Sequence, residues 1–279
     1  MASVSPYRAS FWRTFWANAI VSPKTSLGFM RIDFILGEIF VIPLTQIAFF
    51  AFVVVLSYQG TDTAQSVISA QVAYVAVGNA VATVAYTSIF SVCQTTDSEK
   101  QMGTMEHLLV SPTNRTALYF GRGFVPILIS LATVTMGLVY AVYLFGVPVA
   151  AGSQGYVAIS VVLTSFAMVG FGLLLGGVAL YLRTSIILGN IFLFIGLLLS
   201  GVNYPVSALP LPLQVMGYGL PLTWGVDAIR TALGGASLGT MLFLWGALAL
   251  SGLIAGGLSI ALWGNFEHRA LATGSIARF

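Results

Sequence analysis

The stretch FILGEIFVIPLTQIAFFAFVVVLS, residues 34–57, is an apolar run interrupted only by Glu38, Pro43 and Gln46. A helix crosses a hydrocarbon layer of roughly 30 Å with about 20 mainly apolar residues, so this stretch is long enough to span a membrane. The same reading places further helices at 69–94, 118–146, 156–182, 186–201 and 238–263, the fifth of them short. The expected fold is an all-α integral membrane protein with six transmembrane helices, organised as one domain over residues 1–279. Composition points the same way. Charged residues make up 7% of the chain and hydrophobic ones 58%, and the mean hydropathy is +0.95. Nineteen charges cannot cover the surface of a soluble protein of 279 residues, so lipid is the solvent for much of it.

The segment VNYPVSALPLPLQVMGYGLPLTWGVDAIRTALGGAS, 202–237, departs from the pattern. It is too apolar for an ordinary loop and too broken by Pro205, Pro210, Pro212 and Pro221 for one continuous helix. A re-entrant pair of short helices over 202–235 reconciles the two, since irregular backbone at membrane depth is tolerated where protein buries it or where it lines a cavity.

Basic residues set the expected orientation. With six spans, one side collects Arg8, Arg13, Lys24, Arg31, Lys100, Arg115, Arg122, Arg183, Arg269 and Arg278, and the other collects Arg230 alone. That segregation predicts cytoplasmic termini in a multi-pass plasma-membrane protein, a bacterial inner membrane being the expected setting. Within residues 8–30, Phe11, Trp12, Phe15 and Trp16 fall within an arc of about 140° on a helical wheel, away from Arg13, Thr14 and Asn18. This is the pattern of a helix lying in the cytoplasmic interface with its rings at headgroup level; a helix packed on the bundle is the other reading. No compact apolar leader with a small-residue cleavage site is apparent, so insertion through the chain's own spans is expected.

Chemistry-bearing residues are sparse. Cys93 is the single cysteine, and no Cys/His cluster suggests a metal. His107 and His268 belong to no catalytic motif, and neither Lys24 nor Lys100 follows a GxxxxG, so there is no phosphate-binding loop. Scattered basic residues without a basic stripe exclude nucleic acid as a partner. The expectation is a chain with no catalytic site, no metal and no cofactor of its own.

The longest polar connection reads TTDSEKQMGTMEHLLVSPTNRTALYFGR, residues 95–122. Ser98 with Gln101 forms a candidate capping box, Gly103 permits a turn, Met105, Leu108 and Leu109 offer an apolar face, and Pro112 ends the segment. A small amphipathic elbow results, read either as a partner-docking element or as a plain connection.

Two motifs resemble the ABC-2 family of export permeases. One is Glu99-Lys100 with Gly103-Thr104-Met105-Glu106, Leu108-Leu109, Ser111-Pro112, Arg115 and Gly121-Arg122. The other is Ser200-Gly201, Tyr204-Pro205-Val206-Ser207, Leu209-Pro210 and Pro221-Leu222-Thr223 with Asp227, Ile229 and Arg230. The resemblance implies a six-span permease, working as a homodimer or heterodimer with a homodimer expected. Two copies of a separate ABC ATPase subunit would carry the ATP and Mg. It implies that Glu99, Lys100, Gly103, Thr104, Glu106, Leu108, Leu109, Pro112 and Arg115 belong to the coupling segment 95–117 that docks on the ATPase. It further implies that the 202–235 element, with Tyr204, Pro205, Leu209, Pro210, Pro221, Asp227 and Arg230, caps a translocation path lined by the first, second and fifth spans.

The implied activity is export of a lipophilic drug, natural product or lipid-like cargo, with membrane lipids as partners. A glycan or lipid-linked polysaccharide is the alternative cargo. The sequence GFMRIDFILGEIF, with one Arg and two acids, lacks the strongly basic stretch that glycan exporters of the family carry before the first span. An ion-coupled secondary transporter is a rival class, but it calls for mid-membrane acids or histidines that the spans lack.

Among polar residues in spans, Gln46, Asn79 and Asn190 are candidates for the translocation path or for interhelical hydrogen bonds. Glu38 and Arg183 are a candidate ion pair, as are Asp227 and Arg230 at i, i+3 on one helix face. Gly172 with Gly176 and Gly252 with Gly256 give GxxxG spacings for close helix approach.

Overall fold

The computed structural model describes residues 11–17, 19, 32–60, 62–101, 115–179 and 185–273. The described residues form helices and no strands. Helix α1 covers 11–17. Then come α2 (Ile32–Leu36), a π-helical turn (Gly37–Val41), α3 (Ile42–Ser57) and α4 (Gln65–Gln101). They are followed by α5 (Arg115–Tyr143), α6 (Gln154–Ala179), α7 (Ser185–Leu199), the short α8 (Leu211–Tyr218), α9 (Pro221–Leu233) and α10 (Leu238–Thr273).

The π turn has a local cause. Pro43 has no N–H, and its ring opposes the carbonyl four residues earlier. The chain widens there, and the Ile42 N–H reaches back to Gly37 O. Glu38 sits half-buried in this turn.

Among the described residues, five segments are long and apolar enough to cross a membrane: Gly37–Ser57, Gln65–Gln94, Gly123–Tyr143, Gln154–Val178 and Leu238–Asn265. The sixth expected span corresponds to α7, an apolar helix of 15 residues, about 22 Å long at 1.5 Å per residue and short of a full crossing by itself. Among the described residues, five helices thus meet the length of a span by themselves, with α7 as a shorter companion.

Inter-helix contacts fix the helix directions. Gln46 meets Asn79, and Tyr74 meets Gly201, so α3 and α7 both run opposite to α4. A methyl on Gly137 would lie 3.0 Å from Ala80, and one on Gly189 3.2 Å from Cys93 Sγ, which places α5 and α7 beside α4 along its length. Helices α6 and α10 run parallel: Trp245 meets Ser160, Gly252 meets Ala167 and Gly177 meets Trp263. The bundle therefore has two ends. One holds the start of α4, the end of α5, the 144–153 turn and α8–α9. The other holds the end of α4, the start of α5 and the end of α6.

Helix α4 is the centre of the core. Ala76, Ala80, Val81, Val84, Ala85 and Ile89 are buried on it, and α3, α5, α6, α7 and α9 pack around it. Small residues bring the neighbours close. A methyl on Gly172 would sit 2.7 Å from Ser88 O in α4, and one on Gly252 2.8 Å from Ala167 in α6. These glycines remove side chains where backbones meet, which suits association in lipid, where no water is released by burying apolar surface. Gly256, the second glycine of its pair, has open space beside it.

Several buried hydroxyls are satisfied within their own helices, whereas those of Ser88, Ser153, Ser165 and Ser200 have no partner among the described residues. Thr83 donates to Ala80 O, Thr133 to Ile129 O and Thr164 to Ser160 O at 2.7–3.0 Å. Outward-facing apolar side chains line α3, α7 and α10, where Phe49, Phe52, Phe194, Leu198, Phe243 and Leu253 are exposed.

Candidate functional site

The first site lies where α9 meets the turn after α7. Gly201 has φ +72°, a conformation that glycine alone adopts without strain, and it swings the chain so that the carbonyls of Gly201 and Val202 face α9. Helix α9 opens with Pro221 in its first turn, where a missing N–H costs nothing. Arg230 then reaches inward. Its Nη1 donates to Gly201 O at 2.7 Å, and its Nη2 donates to Val202 O at 2.8 Å and to Tyr74 O of α4 at 2.9 Å. The guanidinium carbon lies 3.5 Å from the Tyr74 ring centroid, a cation–π stack, and the Tyr74 hydroxyl donates to Gly201 O at 3.2 Å. Arg230 Nε has no hydrogen-bond partner among the described residues.

This clamp joins α4, the 201–202 turn and α9 through one planar cation. Gly78, one turn after Tyr74, leaves room for it: a methyl there would lie 2.0 Å from Val202 O and 2.5 Å from Arg230 Nη2. Burial lowers the Arg230 pKa to about 10, partly offset by Tyr74 and Asp227, so the group is charged at neutral pH. The expected Asp227–Arg230 ion pair is not formed, because Arg230 spends its donors on main-chain carbonyls. Asp227 feels the cation, but burial is the larger influence and raises its carboxyl pKa.

A second polar set adjoins the clamp. Asn79, fully buried, donates to Asn203 Oδ1 at 2.8 Å and to Val75 O at 3.0 Å, while Gln46 Nε2 approaches Asn79 Oδ1 at 3.4 Å. Gln46 and Asn79 are thus brought together and Asn203 completes the set, linking α3, α4 and the turn after α7. Asn190 stands apart, its amide donating to Ile186 O of its own helix at 3.1 Å.

The rest of the 202–235 segment is tied to itself. The Tyr204 hydroxyl donates to Leu198 O, and Pro205 leads into a single 3-10 turn, Val206–Ala208. Leu209 and Pro210 follow, and Gln214 Nε2 donates back to Leu209 O at 2.7 Å. Thr223 donates to Gly217 O and Trp224 to Tyr218 O, fixing the α8–α9 elbow. Gly225 abuts Thr164 of α6, and most of α9 is buried. Below it, the space lined by Ala85, Ile89, Phe171, Phe192 and Leu222 is only about 10 Å³, so α4, α6, α7 and α9 close against one another.

At the opposite end, Glu99 and Lys100 belong to the last turn of α4, and Arg115 is the first residue of α5. Gly103, Thr104, Glu106, Leu108, Leu109 and Pro112 lie outside the described residues, as does Arg183, the expected partner of Glu38. Helix α4 is 37 residues long, about 55 Å, so its end extends beyond its apolar span. Near this end, Phe15 and Trp16 of α1 pack on Phe124 of α5 with ring centroids 5.9 and 5.7 Å apart. The aromatic arc is therefore divided: Phe11, Trp12 and Trp16 are exposed, while Phe15 is half-buried against Phe124 and Thr14 is seated inward.

Tyr74, Gly78 and Asn203 are missing from the residues singled out by sequence. Their signal was faint: Tyr74 and Gly78 share one face of α4 at i, i+4, and Asn203 directly precedes the Tyr204-Pro205 motif.

The family model for the ABC-2 type transporter matches residues 27–233. Two curated relatives, each named "Probable multidrug ABC transporter permease YbhR" and coming from Escherichia coli strains K12 and O157:H7, are 29% identical over 132 residues. That alignment covers 47% of this chain and 34% of each relative, so the match spans about a third of the relatives' length.

Proposed function

The chain belongs to the ABC-2 type transporter family, and on that premise we propose that it is the membrane subunit of an ATP-driven exporter of lipophilic cargo. It works as a permease dimer docked to two copies of a separate ABC ATPase. The observation that carries this reading is the placement of the two family segments at opposite ends of the bundle. The helix ends that flank the polar 102–114 connection lie at one end, and the clamp-closed α8–α9 element lies at the other.

Movement imposed by the ATPase at the first end is transmitted along α4, which runs from Lys100 to the residues that carry Tyr74, Gly78 and Asn79. The α8–α9 element is the outer closure, re-entrant from the external face, and Arg230 is its latch. Helix α1 lies in the cytoplasmic interface with Phe11, Trp12 and Trp16 toward the headgroups. Both termini are cytoplasmic, α7 counts as the sixth crossing, and the setting is a bacterial inner membrane. The cargo is lipophilic because the spans offer amides but few charges, and because the relatives named above are described as multidrug permeases.

The test is affinity purification of the full chain from its native membrane. A co-purifying protein with a phosphate-binding loop is expected with the intact chain and is lost when residues 102–112 are deleted. Retention after the deletion overturns the coupling assignment, and isolation of the intact chain with no ATPase overturns the exporter reading.

A further inference from the structure

A cavity of about 310 Å³ opens between α5 and α6 at the α8–α9 end of the bundle, away from both polar sets described above. On α5 its wall is Thr135, Leu138, Val139, Val142 and Tyr143, which repeat at i, i+3, i+4, i+7 and i+8 and so form one helix face. On α6 it is Gln154, Val157, Ala158 and Val161, the same pattern on the facing helix. Leu233 at the end of α9 contributes to the lining. The two helices touch elsewhere, and the small Ala158 and short valines leave the gap.

The groove is graded along its length. Toward mid-membrane it is apolar, and even Thr135 turns its hydroxyl onto Leu131 O at 2.6 Å, leaving its methyl to the wall. At the helix ends the exposed Tyr143 phenol and Gln154 amide have no hydrogen-bond partner among the described residues. From Thr135 to Tyr143 the helix rises about 12 Å, most of the roughly 15 Å of one hydrocarbon leaflet.

Water does not suit an apolar space, and a gap left empty forfeits dispersion contacts along its walls. Its volume is about twice that of a dry cavity able to hold a benzene molecule, ~150 Å³. Both walls belong to membrane-spanning helices, so the surrounding solvent that reaches it is the acyl chain.

We propose that this groove is a binding site for one phospholipid of the leaflet at the α8–α9 end. The tail lies between α5 and α6, and the glycerol ester carbonyls accept hydrogen bonds from Tyr143 and Gln154. Because the tail also touches Leu233, an occupied groove props the end of α9, the helix that carries Arg230.

The test uses the full chain in nanodiscs of phosphatidylethanolamine and phosphatidylglycerol carrying a trace of phospholipid with a diazirine in its tail. After irradiation, adducts are mapped by peptide mass spectrometry. Peptides covering 135–143 and 154–161 are expected to carry about fivefold more adduct than the exposed apolar face of α7 at Ile187, Ile191 and Phe194, a preference of roughly 1 kcal/mol. Ala158→Trp, which fills the groove, is expected to remove the excess and leave α7 labelling unchanged. Val139→Trp at the exposed rim serves the same purpose should Ala158→Trp not fold. Equal labelling of the groove and α7 overturns the proposal. So does an excess that survives both substitutions, or protection of the groove by a second copy of the chain, read as cross-links between Tyr143→Cys protomers.

Discussion

Removing the Arg230 guanidinium should loosen the α8–α9 element by an amount that the geometry sets. Three carbonyls lose a charged donor, but not equally. Tyr74 O lies inside α4 and keeps its helical N–H donor, and Gly201 O keeps the Tyr74 hydroxyl at 3.2 Å. Val202 O is the one left without a donor, at a cost of about 1–3 kcal/mol. The lost stack on Tyr74 adds about 0.5–2 kcal/mol. Arg230→Ala is therefore expected to favour local opening by about 1.5–5 kcal/mol, or about 10- to 4,000-fold at 1.4 kcal/mol per decade. Hydrogen exchange followed by mass spectrometry in nanodiscs reads this directly, because amides in 201–206 and 222–233 exchange through local opening. Their exchange should accelerate by that factor, while α6 and α10 amides hold their rates. Arg230→Lys should fall between the two, since an ammonium cannot present a planar fork to several carbonyls or stack as guanidinium does. Exchange in 201–206 within about threefold of the parent in Arg230→Ala, a difference of only ~0.7 kcal/mol, would falsify the latch.

Further consequences follow from neighbouring residues. Gly78→Ala places a methyl 2.0 Å from Val202 O, and overpacking of this kind costs about 1–3 kcal/mol, so the same amides should exchange faster with Arg230 intact. The Gly252/Gly256 pair should split. Gly252→Ala meets Ala167 at 2.8 Å and should lower the thermal midpoint in detergent, whereas Gly256→Ala meets open space and should raise stability by up to about 1 kcal/mol through helix propensity. At Asp227, burial raises the carboxyl pKa above its ordinary 3.8, so the ionised form is the strained one in the folded chain. The linkage sign is that stability rises as pH falls through the folded pKa and levels off near 3.8. Asp227→Asn should abolish that component of the pH dependence of thermal unfolding and should not destabilise the chain at pH 7; a loss of stability there would contradict it.

The spans were legible because lipid imposes one constraint on every residue of a helix, and residues 34–57 meet it almost without exception. The proline-broken stretch was legible for the complementary reason: Pro210 and Pro221 stand at helix starts, and α8 and α9 begin beside them. Arg230 was singled out, but its partner was misjudged. Side-chain spacing pointed to Asp227 three residues away, whereas the real acceptors are main-chain carbonyls that Gly201 exposes by turning with φ +72°. Backbone acceptors carry no residue-type signal. Asn203 was missed because its bond to Asn79 joins positions 124 apart, a distance that only the antiparallel course of α4 and α7 brings to 2.8 Å. Asn190, of the same residue type as Asn79, differs only in what its helix faces, and it bonds within its own turn.

The central claim, that this chain moves cargo only when a separate ATPase drives it, is tested most directly by transport in proteoliposomes. The chain is reconstituted with its co-purified ATPase in the orientation that exposes the ATPase to added nucleotide, and uptake of a lipophilic fluorescent dye is followed. ATP with Mg should drive accumulation in the complete assembly. ATP should drive none with the chain alone, none with a non-hydrolysable analogue, and little with Glu106→Ala. Accumulation by the chain alone under an ion gradient, or ATP-driven accumulation undiminished by Glu106→Ala and by deletion of 102–112, would contradict it.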